Sequence, residues 1–183
     1  HFNPKVFSLS SGERSVRYLL SFDIDASAVP EGIDASFLAA NEMYSIDGLG
    51  TVRTLASTDE GVAFLVSTAE AVLFHAGDLN WWDWPGEDSE WLAEQKTVFG
   101  REIGKLFGTP IDAAFVVLDD RLKENYAKGA ELFLSVCKAR FMLPMHFKSA
   151  DAVRSFMLLP RSSDAVILDT SKENHWEIKE KTL

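Results

Sequence analysis

A single cysteine, Cys137, stands among 183 residues, so no disulfide can close within the chain. That usage suits a reducing compartment, and a cytoplasmic location is expected. Positive charge is also scarce: 18 Lys and Arg face 28 Asp and Glu, for a formal net charge of −10. Without a basic stripe there is no set of phosphate contacts, so no nucleic acid partner is expected. No apolar run approaches the length of a membrane span, and no membrane partner is expected either. Internal repeats, low-complexity runs and interdomain linkers are missing too, which points to one domain. The chain opens on His1 and not on Met, so it reads as a piece of something longer. What is present is ordinary for a globular protein: 46% hydrophobic and 25% charged residues, enough to build a core without staples.

The chain is organised around Val72-Leu73-Phe74-His75-Ala76-Gly77-Asp78. Apolar, β-prone residues form a buried strand that stops at Gly77, with a carboxylate directly after it. Carboxylates at the ends of such strands are where α/β sheets present ligand-binding groups, although Gly-Asp is also plain turn chemistry. Before it, Pro4 predicts a short helix over 5–9, and alternation predicts strands at 16–24, 43–46, 51–55 and 61–67. One or two helical turns are expected at 35–40. Short turns between these strands make them antiparallel neighbours. After it the grammar changes to strand and helix in alternation. Helices are expected over 87–107, around 126–137 and at 150–159. Strands are expected at 111–118, at 141–143 before Pro144, at 165–168 and at 176–179. In the first of these helices, Trp91, Val98, Phe99 and Ile103 should face the core, with Glu94 and Lys105 towards water.

Asp78 and His146 each follow a short apolar strand, and in a mixed sheet such ends converge on one edge. Imidazole and carboxylate together suit zinc, iron or manganese. Taken one at a time, the simpler readings come first: His75 as a satisfied core imidazole, His146 as a helix cap, and Asp119-Asp120 as a solvated turn. Trp81, Trp82 and Trp84 lie beside the pivotal strand. They either wall a substrate cleft or glue a following helix to the sheets.

These motifs resemble, in order, those of the metallo-β-lactamase fold hydrolases. His1-Phe2-Asn3-Pro4 is similar to the end of the His-x-His-x-Asp-His signature, and His75-Ala76-Gly77-Asp78 to the strand carrying the bridging aspartate. Pro144-Met145-His146-Phe147 is similar to the final histidine segment, after the strand-helix-strand unit 111–143. The resemblance implies a four-layer αβ/βα sandwich lacking its first strands, as one partial domain over 1–183 with a helical insertion at about 81–108. It implies a divalent metal, zinc foremost with manganese or iron as alternatives, held by His1, Asp78 and His146, with Asp78 also the catalytic carboxylate that bridges two ions. The implied activity is metal-dependent hydrolysis of a small-molecule ester, lactone or phosphodiester by a metal-activated hydroxide. Two features depart from the pattern. The upstream ligands of the signature would precede His1. Where the family carries a middle histidine, this chain has Ser57-Thr58-Asp59-Glu60-Gly61, so Asp59 either substitutes as an oxygen ligand or leaves the site incomplete. His75 is not a family ligand and would stand behind the others. The alternative is a non-catalytic binding or scaffold member of the same fold. The oligomeric state is left open.

Overall fold

The computed structural model describes residues 2–10, 16–172, 175 and 176. Runs of alternating apolar residues form β3 (Met43–Ile46), β4 (Gly50–Ala56), β5 (Val62–Ser67) and β6 (Val72–His75). These four pair in sequence as an antiparallel meander, as their short connections require. From β6 onwards the pairing is parallel: β6, β7 (Pro110–Val117), β8 (Lys138–Met145) and β9 (Val166–Ile167) lie side by side. The seven strands make one mixed sheet in the order β3-β4-β5-β6-β7-β8-β9. A second sheet has two parallel strands, β1 (Arg17–Ser21) and β2 (Asp34–Leu38).

Three helices cover one face of the large sheet. They are α1 (Ser89–Gly104), α2 (Lys128–Val136) and α3 (Ala150–Leu158). Register places Leu65, Phe74, Ala114 and Met142 side by side on that face, where they join one core with Phe99 and Ile103 of α1, Phe133 of α2, and Val153 and Phe156 of α3. Phe74 and Phe133 stack at 5.3 Å, pinning α2 to the sheet beneath it. On the opposite face, Phe64 and His75 meet Leu19 and Leu20 of the small sheet across a cavity of about 420 Å³. A 3-10 segment, Pro4–Ser10, packs Phe7 against Tyr18 and Leu20. Helices, large sheet, small sheet and 3-10 segment follow the layer order of the αβ/βα sandwich.

Several local expectations change. Residues 35–40 are not helical: pairing with β1 draws them into β2. Pro144 does not cut β8 off but lies inside it. β9 reaches only residues 141 and 142 of β8, so no neighbour on that side asks for the missing N–H of Pro144. In α1, Asp88 caps the helix by accepting from the backbone N–H groups of Glu90 and Trp91. Phe99 and Ile103 are buried as the spacing requires, but Trp91 is 37% exposed. Lys105 does not point free into water: its Nζ donates to Glu102 at 2.5 Å and to Asn41 at 2.6 Å. The strand expected at 176–179 falls mostly outside the described residues.

Candidate metal centre

Three neighbouring parallel strands each deliver one side chain to the same edge. β6 leads to Asp78, β7 to Asp119 and β8 to His146, and in every case the chain has just left its last paired residue. Hydrogen bonds carry the pairing slightly past the strand ends, from Ala76 N to Phe115 O and from Leu118 N to Met145 O, both at 2.9 Å. The three loops therefore start from a common, rigid rim.

Gly77 makes the first turn possible. Its φ is +57°, and a Cβ there would sit 2.9 Å from the Val62 carbonyl oxygen, so only glycine brings Asp78 back under the sheet edge. Asp78 is 3% exposed. The loop after it is tied down by Thr58, whose Oγ1 accepts from Asn80 N at 2.9 Å and donates to Asn80 O at 2.6 Å. Trp82 is buried, donates its ring N–H to the Asp78 carbonyl at 3.1 Å, and sets its ring edge-on to His146 at 5.7 Å.

His146 adopts φ +70°, a region that residues other than glycine seldom visit, so its contacts and not its backbone preference hold it there. Its ring lies between two carboxylates. Nδ1 donates to Asp119 at 2.9 Å, and Nε2 stands 3.4 Å from the Asp78 carboxylate. Interaction with Asp78, joined by Asp119, raises the His146 pKa above its ordinary value against the effect of burial. The same contact with His146 holds the Asp78 carboxyl below the usual carboxylate range. Asp119 is fully buried; burial pushes its pKa up, but hydrogen bonds from Arg121 outweigh this and hold it down. Asp120 has a separate task, accepting from the backbone N–H groups of Lys148 and Ser149 at 3.0 and 2.9 Å. The Asp119-Asp120 pair is thus no solvated turn. One carboxylate orients the His146 ring and the other anchors the loop that carries it.

The structure brings Asp78 and His146 together. His1 lies outside the described residues. Asp59 is exposed on the 57–61 loop, and His75 lies on the sheet face, stacked on Phe115 at 5.5 Å with its Nδ1 accepting from Gly77 N. Neither joins the pair: among the described residues no three His, Cys, Asp or Glu side chains are grouped to hold an ion. Trp84 stacks on Trp82 at 6.0 Å, and Trp81 packs against the core with Lys96 and Lys128 over its ring. The residue that sequence reasoning passed over is Asp119. It follows the end of the strand between the other two, a position legible by the same logic that marked Asp78 and His146.

The pair can be tested against an ion. Two donors each about 2.0–2.1 Å from one tetrahedral ion stand roughly 3.3–3.4 Å apart. The 3.4 Å between His146 Nε2 and Asp78 Oδ1 matches that separation. Asp119 on Nδ1 leaves Nε2 as the nitrogen facing Asp78, the arrangement in which a carboxylate orients a metal-binding histidine from behind. Asp78 and His146 therefore fit two positions of one coordination shell.

No family model matches the chain, and no curated protein matches it in sequence. Solved structures do. The metallo-β-lactamase fold protein YhfI from Bacillus subtilis is similar over 90% of this chain and 67% of its own, at 12% identity and a TM-score of 0.50. A variant of CmlA β-hydroxylase is similar over 83% of this chain, at 12% identity and a TM-score of 0.48. Zn2+-bound PqqB from Methylobacterium extorquens is similar over 78%, at 14% identity and a TM-score of 0.40. The chain spans 38% of the length of the CmlA protein and 52% of PqqB. At 12% identity the likeness to YhfI speaks for the backbone arrangement and nothing finer. No helix among the described residues is long and apolar enough to cross a membrane. This chain has the metallo-β-lactamase fold.

Proposed function

We propose that the protein is a metal-dependent hydrolase in which Asp78 and His146 hold a divalent ion, with zinc foremost and iron or manganese equally compatible with these donors. The observation that carries this reading is the 3.4 Å approach of His146 Nε2 to Asp78 while Nδ1 is engaged by Asp119. A bound divalent ion supplies Lewis acidity and lowers the pKa of water towards neutrality. The chain's own residues do the rest. Asp78, held anionic, brings a full negative charge to the site. Asp119 keeps the proton of His146 on Nδ1 and so keeps Nε2 available as a donor. Trp82 closes one side of the imidazole against water. The substrate class proposed is a small ester, lactone or phosphodiester, with neither nucleic acid nor membrane as partner.

A second reading is favoured by one observation: the described residues add no third donor to the pair. A centre of two donors holds metal weakly, and the protein would then serve as a binding module on the same fold, with neither bound ion nor turnover. Metal content, with an esterase, lactonase and phosphodiesterase screen on the wild type and on Asp78→Ala, separates the two. The hydrolase reading predicts bound ion and turnover that Asp78→Ala abolishes. Turnover unchanged in Asp78→Ala would contradict it, and a wild type with neither bound ion nor turnover would favour the binding module.

A further inference from the structure

Arg121 stands at the surface with its side chain 40% exposed, yet its guanidinium turns inward. Nε lies 2.9 Å from both oxygens of Asp119, and Nη2 donates to Oδ2 as well. The guanidinium carbon stands 5.5 Å from the centroid of the Trp84 ring. Trp84 stacks on Trp82, and Trp82 meets the edge of His146. The contacts close a ring: His146, Asp119, Arg121, Trp84, Trp82 and back to His146.

We propose that Arg121 is a positioning residue: it fixes Asp119, and through it the ring of His146, so that the Asp78–His146 pair can share one divalent ion. The proposal rests on the metal-centre reading given above. A fully buried carboxylate is stable only with charged or well-aimed donors around it. The planar fork of arginine matches both carboxylate oxygens at once, which a lysine cannot do. Without Arg121 the Asp119 carboxylate keeps only the backbone N–H of residue 121 and the His146 Nδ1–H, and its plane is no longer fixed. The His146 ring, already in an uncommon backbone region, is then aimed by a carboxylate that is itself no longer held in place. Arg121 does not simply staple the loop, because Asp120 bonds the loop backbone at Lys148 and Ser149. Loop anchoring and ring orientation are carried by different residues.

The test is a double-mutant cycle on the full chain, read as Zn2+ affinity by competition with a chromophoric chelator. Arg121→Gln and Asp119→Asn are each expected to weaken binding by about 10–100-fold, with Arg121→Lys between them and the wild type. If Arg121 acts through Asp119, the double variant binds no more weakly than Asp119→Asn alone. The visible spectrum of the Co2+-loaded protein should shift in Arg121→Gln, which a general loss of stability would not produce. Wild-type affinity in Arg121→Gln, or losses that multiply in the double variant, would overturn the proposal. If the wild type takes up no ion, the metal reading has failed by itself, and NMR of the metal-free chain decides the remainder. A hydrogen-bonded Nδ1 proton on His146, present in the wild type and lost in Arg121→Gln, supports positioning by Arg121. The same resonance unchanged in the variant sinks it.

Discussion

Gly129, in the first turn of α2, lies so close to Asn80 that a Cβ on it would sit 1.9 Å from the Asn80 side-chain oxygen. Asn80 is 2% exposed, and Thr58 holds its backbone, so it has little room to yield. Through this contact the helix under the sheet sets the height of the loop that carries Asp78. Gly129→Ala should raise helix propensity by about 1 kcal/mol and still destabilise the protein, because overpacking a closed site costs roughly 1–3 kcal/mol. A lower urea midpoint with an unchanged m-value is the expected result.

Gly77→Ala is expected to be the more damaging of the two glycine changes. Its Cβ would meet the backbone oxygen of Val62, which cannot rotate away, and its φ of +57° strains any side chain. A loss of about 1–3 kcal/mol is expected, together with loss of metal uptake as Asp78 is displaced. Thermal unfolding and metal content of the same sample measure both.

Glu102 is 1% exposed in α1 and has three partners, one of them Arg101, whose Nε donates to it at 3.3 Å. It accepts from Ala56 N at 3.2 Å and from Lys105 Nζ at 2.5 Å, joining the helix end to β4. Glu102→Ala leaves the Ala56 N–H without its acceptor, at a cost of about 1–3 kcal/mol. Glu102→Gln keeps an acceptor there and should lose less. Equal destabilisation by the two, in chemical denaturation, would show that the charge and not the acceptor matters.

Much of this architecture was open to a reader of the sequence, and the exceptions have physical causes. The meander and the strand-helix alternation follow from apolar period and turn residues, which act locally. β2 did not, because Ala35 to Ala40 suits a helix and only pairing with β1 makes it a strand. Asp78 and His146 stood out as lone polar groups at strand ends. Asp119 was hidden by its neighbour: two adjacent carboxylates look like solvated turn, and what makes burial tolerable is Arg121, two residues on. The exposure of Trp91 shows the other limit, since helical spacing tells which residues share a face but not where the covering layer ends.

Cys137 is 4% exposed, and burial pushes its thiol up to about 12. At pH 8 the native protein should resist alkylation, while the denatured chain, with a thiol near its ordinary value of 9.0, should react readily. Because the folded value is raised, the unfolded chain releases a proton that the folded chain keeps as pH climbs above about 9. The stability tied to Cys137 is therefore complete below that pH and is lost as pH rises towards 12. Between pH 8 and pH 10 the loss should be on the order of 1 kcal/mol, and it should vanish in Cys137→Ala when urea midpoints are compared.

A direct binding titration tests whether Asp78 and His146 meet as ligands of one divalent ion. Isothermal calorimetry with Zn2+ should show saturable binding to the wild type. Loss should follow in both Asp78→Ala and His146→Ala, with each variant retaining its fold by circular dichroism. Zn2+ bound by both variants as tightly as by the wild type would contradict the account, because the ion would then be held elsewhere and the 3.4 Å approach would be no more than an ion pair.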